Sequence, residues 1–341
     1  MRFCGLSSKT RAADPSKVML KNKGYFRNCV AVLGLSLCVI ACDPMPAAAQ
    51  AVQGIPLTIT VTNDKGQAVP GLQESDFSVT DGKTTQTIVS FKSLDEPISI
   101  GLLFDMSRSM RSQGSKASTQ QRMEILNQAF TRFLEQSNSS NEYFVAAFDA
   151  KPYILSDWTS DHRAISQAIA RLVLNGETAF YDACYAGIEK VLKGRQGKRA
   201  IIVFSDGQDN KSRHSFNELS KLLKESNVLV YSLTIIDPDN YSGSVSPEGK
   251  DILEELTAIT GAKAFFPRIG GRFRDREVGE VVEQIASELR HQYTLEIASV
   301  KSEEDRSWHR IKVKLAPQTN AVPERKHLLA RTRQGYYSSI R

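Results

Sequence analysis

From residue 98 to residue 289 the chain alternates between short, almost wholly apolar runs and longer stretches whose apolar residues recur at helical spacing. The runs are 98–104, 143–148 (YFVAAF), 200–204 (AIIVF) and 228–235 (VLVYSLTI). A strand apolar on both sides must be covered on both faces, which parallel sheets achieve with crossover helices. The stretches between the runs have that character. Residues 122–136 place Ile125, Ala129, Phe130, Phe133 and Leu134 on one stripe, and 162–174 turn Ile165, Ala168, Ile169 and Leu172 inward. Helices are also expected over 180–192, 216–225, 251–260 and 277–289, with a short companion strand at 152–158 and another at 264–266. The expected fold class is therefore α/β, a doubly wound and mostly parallel sheet.

In such sheets ligands bind beyond the carboxyl ends of the strands. Strand 98–104 runs out into Asp105-Met106-Ser107-Arg108-Ser109, and strand 200–204 into Ser205-Asp206-Gly207. The link between two helices, Asn175-Gly176-Glu177-Thr178, adds a third loop. Asp105, Ser107, Ser109, Thr178 and Asp206 thus offer oxygen donors on one edge, which suits a hard divalent cation, magnesium first, with manganese or calcium as alternatives. Two ionised aspartates balance the charge of that cation, and a near-octahedral shell leaves room for a carboxylate from elsewhere. Taken alone, Asp-x-Ser-x-Ser is more often a helix cap than a ligand set. The second aspartate and the threonine on the same edge change that reading. Asp209 reads as turn chemistry, Cys184 as a small core residue, and Phe180 and Tyr181 as packing.

DMSRS at 105–109, Thr178 after Gly176, and Asp206 in FSDGQDN resemble the metal-ion-dependent adhesion site of von Willebrand factor type A domains. The resemblance covers residues 97–291. It implies that Ser107, Ser109 and Thr178 ligate the cation directly or nearly so, and that Asp105 and Asp206 hold it through water. It also implies that 152–158 is the short antiparallel edge strand of the family. The residue between the serines is often glycine in the family and is Arg108 here. Arg111, Lys211 and Arg213 extend that positive charge, either as solvated loop cations or as steering for an acidic partner.

The flanks read as β structure. Ile55, Leu57, Ile59 and Val61 alternate with Thr58, Thr60 and Thr62, the pattern of a half-buried strand. Residues 77–80 and 87–91 flank Asp81-Gly82 and are expected to pair as a hairpin. About forty residues bury too little surface to stand alone, and 292–298, 308–315 and 328–333 are strand-like in turn. The expected organisation is an α/β domain (97–291) inserted into a small β-sandwich made from 50–96 and 292–341; two separate β appendages are the alternative. Val69-Pro70-Gly71-Leu72, Glu74-Ser75-Asp76-Phe77 and Arg331-Thr332-Arg333-Gln334-Gly335-Tyr336-Tyr337 resemble secreted bacterial proteins known as von Willebrand factor A-related. That group is defined by sequence more than by an activity.

Residues 1–49 have the order of a secretory signal: basic residues from Arg2 to Arg27, an apolar stretch over 29–41, then Ala47-Ala48-Ala49. Cleavage after Ala49 would give an exported chain, periplasmic or extracellular, with no membrane span after processing. Val39-Ile40-Ala41-Cys42 resembles a lipobox and offers a lipid anchor at Cys42 as an alternative; a retained anchor helix is a third reading. Beyond this segment Cys184 stands alone, so no internal disulfide can form there. The net charge of +6 is spread without an aromatic-interleaved basic stripe, which argues against nucleic acid. No P-loop, GxSxG or HExxH occurs, and Ser107 stands where a phosphatase-type second aspartate would, so a metal-dependent hydrolase is the least favoured class. The expected function is an exported binding module whose cation engages an acidic side chain of a protein partner, with loop 237–250 as a contact segment. A metal-independent scaffold in a cell-envelope assembly is the alternative.

Overall fold

The computed structural model describes residues 54–107, 110, 116–173, 176–236, 245–269, 276–298, 307–317 and 327–337. The signal-like segment with Cys42, the loop residues Arg108, Ser109 and Arg111, and 237–244 of the expected contact loop lie outside them.

Alternating apolar side chains produce β1 (Ile55–Thr62), in which Leu57, Ile59 and Val61 are fully buried. β2 (Phe77–Asp81) turns at Gly82-Lys83 into β3 (Thr84–Gln86), with Asp81 opposite Thr84. Gly82 takes φ 57, the left-handed value that tight hairpin turns require. The hairpin partner of β2 is therefore 84–86 and not 87–91. That second run crosses to another sheet as β4 (Ile88–Lys92).

The α/β segment begins with β5 (Ile98–Asp105), buried along its whole length. It continues through α1 (Lys116–Gln136), β6 (Glu142–Phe148), β7 (Pro152–Thr159), α2 (His162–Ala170), α3 (Phe180–Val191) and β8 (Lys198–Phe204). Then come α4 (Phe216–Glu225), β9 (Leu229–Leu233), α5 (Pro247–Thr260), β10 (Ala264–Phe265) and α6 (Arg276–Arg290). The six strands form one sheet in the order β10-β9-β8-β5-β6-β7. All neighbours are parallel except β7, which runs antiparallel to β6. α1, α2 and α6 pack Phe130, Phe133, Ile165 and Val282 on one face, against Phe104 and Ile202. α3, α4 and α5 pack Cys184, Leu219 and Leu253 on the other, against Leu103, Ile201 and Val203. The strand order reverses between β5 and β8: from β5 the chain first builds outward through β6 and β7, then returns to the other side through β8, β9 and β10. That reversal opens a crevice at the carboxyl ends of β5 and β8.

α5 starts four residues earlier than its apolar stripe suggests, because Ser246 accepts the Gly249 N–H and Pro247 fits the first helical position. Residues 247–250 of the expected contact loop are thus a helical turn.

After α6 the chain returns to β structure as β11 (Tyr293–Ile297), β12 (Trp308–Leu315), β13 (Leu329–Arg331) and β14 (Gly335–Tyr337). These strands pair antiparallel with those that precede β5. One four-stranded sheet has the order β13-β1-β11-β4 and the other β14-β12-β2-β3. Leu57, Ile59, Leu295 and Ile297 from the first sheet and Val79, Ile311, Val313 and Tyr336 from the second share one core.

The motif 331–337 ties these sheets to the α/β segment. Arg331 Nη2 lies 2.7 Å from Oε2 of Glu288 on α6. Thr332 Oγ1 donates to the Thr58 carbonyl at 2.8 Å, and the Gln334 N–H to that of Ile259 on α5 at 3.2 Å. Gly261 ends α5 with φ 84, and a Cβ there would strike the backbone of Thr332 and Arg333. Tyr336 stacks on His309 and donates to Asp81. Among the described residues no helix is long and apolar enough to cross a membrane.

Candidate metal centre

Sheet register assembles the first half of the site. Phe104 on β5 sits opposite Phe204 on β8, so the next residues, Asp105 and Ser205, are neighbours at the crevice. Ser205 Oγ donates to Asp105 Oδ2 at 2.6 Å, and the Ser107 N–H donates to Oδ1 at 2.9 Å. Asp105 is only 1% exposed, Ser107 1%, Thr178 3% and Asp206 7%. Burial pushes the Asp105 carboxyl up to about 7, and the charge of Asp206 adds to this. The hydrogen bonds from Ser107 and Ser205 act in the opposite direction. A carboxylate this desolvated beside a second one is a poor arrangement for stability by itself, and one that a divalent cation would offset.

Asp206 follows Ser205 on the turn out of β8, its Oδ1 accepting the Gln208 N–H at 3.1 Å. Gly207 takes φ 76, and a Cβ on it would meet the Gly249 carbonyl and Leu253 of α5. A Cβ on Gly249 would in turn meet the Asp206 carbonyl. The two glycines let the first turn of α5 pack directly on the Asp206 peptide, which limits where that carboxylate can go.

Thr178 comes from a link between helices and not from a strand end. The residue after it, Ala179, caps α3 without a side-chain hydrogen bond. The loop after β8 supplies what is missing. Asn210 Oδ1 accepts the Thr178 N–H at 2.9 Å, Asp209 Oδ1 that of Tyr181 at 3.3 Å, and Ser212 Oγ that of Asp182 at 3.0 Å. Asp209 therefore acts as turn chemistry toward Ser212 and also as a helix cap donated from another loop. Asp182 is held well within the carboxylate form. Its hydrogen bonds from the N–H groups of His214 and Arg213 and from both their side chains outweigh the cost of its burial.

Of the expected donors, Asp105, Ser107, Thr178 and Asp206 are buried on this edge, and Ser109 lies outside the described residues. Sequence reasoning missed Ser205, Asn210 and Ser212. A signal for the last two was present: a helix that starts after Ala179, without Ser, Thr, Asp or Asn at that cap, needs its acceptors from elsewhere. Lys211 pairs with Glu177 at 3.0 Å and Arg213 with Asp182 at 3.4 Å, both cations well exposed, so each pair adds little stability. Cys184 lies on the buried face of α3, and burial pushes its thiol up. The donors are all hard oxygens, the set that fits magnesium, manganese or calcium.

Residues 100–208 match the family model for the von Willebrand factor type A domain. The chain carries a von Willebrand factor type A domain. This vWA match begins inside β5 and ends just past Asp206, so it encloses Asp105, Ser107, Thr178 and Asp206. No curated protein matches the sequence. Solved structures similar to the chain include BatB, a conserved hypothetical protein from Bacteroides thetaiotaomicron, at 17% identity over 55% of this chain and 97% of that one, TM-score 0.42. The PilB minor pilin from Streptococcus sanguinis is similar at 13% identity over 58% of this chain and 62% of that one, TM-score 0.44. The vWF domain of the type V pili tip protein Mfa5 from Porphyromonas gingivalis is similar at 20% identity over 34% and 40%, TM-score 0.30. The chain spans less than two thirds of the pilin and of Mfa5.

Proposed function

We propose that the vWA domain binds a divalent cation, magnesium in the first instance, and uses it to bind a protein partner through an acidic side chain. Asp105, Ser107, Ser109, Thr178 and Asp206 would hold the ion. A bound cation would supply one open coordination position for a carboxylate. The observation that carries the reading is the Asp105 carboxyl, 1% exposed at the crevice between β5 and β8. Nothing in the packing of the core requires an acid there, and burial of its charge disfavours the fold. The chain's own groups do the positioning: Ser205 and the Ser107 N–H fix the Asp105 carboxylate, and the α5 contact fixes the Asp206 peptide.

The signal-like order of 1–49 supports a partner outside the cytoplasm, with lipid attachment at Cys42 as the alternative to release. The test has two parts. Magnesium titrated into the chelated full chain is expected to raise its thermal midpoint by several degrees, since a ligand that binds only the native state stabilises it by mass action. Capture of partners from an envelope fraction is expected to disappear on adding chelator. A midpoint indifferent to magnesium and manganese, with capture unchanged in chelator, would show that the domain works as a metal-independent scaffold.

A further inference from the structure

Three donors reach the site from separate places, and they are not held in the same way. Asp105 and Ser205-Asp206 follow adjacent strands, so sheet register places them. Thr178 follows no strand. It leaves the link between α2 and α3 just after Gly176, which takes φ 109. Its peptide is nevertheless pinned on both sides by one loop. The Thr178 N–H donates to Asn210 Oδ1 at 2.9 Å, and the Thr178 carbonyl accepts the N–H groups of Asn210 at 2.9 Å and Lys211 at 3.1 Å. That loop is the one that carries Asp206 out of β8. Its next contacts, Asp209 with the Tyr181 N–H and Ser212 with the Asp182 N–H, continue along the start of α3, and Ser212 Oγ donates to Asp209 at 2.5 Å.

We infer that residues 209–212 are a positioning strap for the cation site, and that Asn210 is the residue that sets Thr178 against Asp206. The inference rests on the metal reading given above and deepens it. The Asn210 side chain holds the Thr178 N–H while the backbone N–H groups of Asn210 and Lys211 hold its C=O, and together they fix the position and rotation of that residue. The Thr178 hydroxyl is carried on it. Groups that orient ligands in this way typically change metal affinity by about 10–100-fold when removed. A purely helix-capping strap would contribute to stability alone. It would leave affinity unchanged, because the capped N–H groups of Tyr181 and Asp182 belong to no proposed ligand.

The experiment measures manganese and magnesium binding by calorimetry on the full chain. The proteins are wild type, Asn210→Ala, Thr178→Val and the double variant, each also unfolded thermally in chelator. Asn210→Ala is expected to weaken binding by about 10–100-fold. The double variant is expected to bind within about twofold of Thr178→Val alone, since a residue that acts through Thr178 has nothing left to act on. Binding by Asn210→Ala within about twofold of wild type, or penalties that multiply in the double variant, overturns the inference. If the alanine variant is also less stable in chelator, Asn210→Asp decides the matter, because it keeps an acceptor oxygen for the Thr178 N–H. Recovered affinity supports the strap, and affinity as weak as in the alanine variant overturns it. A wild type that binds neither ion removes the metal reading and the strap together. A wild type that binds, with Asn210→Ala unaffected, removes only the strap.

Discussion

Asp105→Asn is expected to abolish magnesium binding and, in chelator at about pH 8, to raise the stability of the protein. The two effects have one cause. The Asp105 carboxyl is raised from 3.8 to about 7, first by burial and then by Asp206, so the folded chain holds its proton more tightly than the unfolded chain does. Such a group opposes folding once it must ionise. The penalty is absent below about pH 4, grows as pH rises, and is complete above about pH 7. At about 1.4 kcal/mol per pKa unit it amounts to a few kcal/mol. Asparagine carries no charge at any of these pH values and retains an oxygen for the Ser107 N–H. A bound cation would offset the same penalty in the wild type. Magnesium should therefore stabilise the wild type most at about pH 8, with the effect fading as pH falls through about 7. Thermal unfolding across this range, with magnesium or chelator, measures both effects. A less stable Asp105→Asn protein in chelator at the upper end, or a wild-type midpoint that does not fall with rising pH, would show that the buried acid is accommodated without a cation.

Glu288→Ala is expected to destabilise the fold by about 3–5 kcal/mol, the range for removing one partner of a buried ion pair. Glu288 is 0% exposed on α6, and its Oε2 is met by Arg331 at 2.7 Å and by the Tyr231 hydroxyl at 3.1 Å. Gln284 donates to Oε1 at 3.1 Å. Alanine leaves a guanidinium that is 15% exposed, together with a buried tyrosine hydroxyl, facing a cavity. The loss arises from stranding that cation, not from the pair's net worth, so Glu288→Leu combined with Arg331→Met should restore much of it. Denaturant unfolding at constant slope gives the number. A loss under about 1 kcal/mol would mean that Arg331 reaches water once released and that the pair does not bind α6 to the outer strands.

Much of this was legible in the sequence because the relevant signals are local. A strand covered on both sheet faces must be apolar along its length, so β5, β6 and β8 declare themselves within a few residues of their ends, as do the stripes of α1 and α2. Asp105 and Asp206 stood out for the same reason, as acids at the ends of runs that tolerate none. Thr178 was placed by its loop on the same edge as the two aspartates, since nothing local separates it from a capping threonine. Where local reading failed, a second partner decided the outcome. The run 88–92 has the alternation of a hairpin strand, yet the Gly82 turn is satisfied by 84–86, and β4 pairs instead with β11, some two hundred residues away in the chain.

The sequence by itself determined the class of the fold, the doubly wound order of its elements, and the placing of Asp105, Thr178 and Asp206, all oxygen-bearing side chains, on one edge. Each follows from side-chain polarity at a fixed period. Only the tertiary structure decided that the strand order reverses between β5 and β8, that Ser205 holds Asp105, that a loop from one strand caps the helix bearing Thr178, and that the arginine motif near the C-terminus secures α6 through a buried glutamate. Register, topology and long-range hydrogen bonds depend on which distant groups meet, and a one-dimensional pattern records the chemistry of each group but not the identity of its partner.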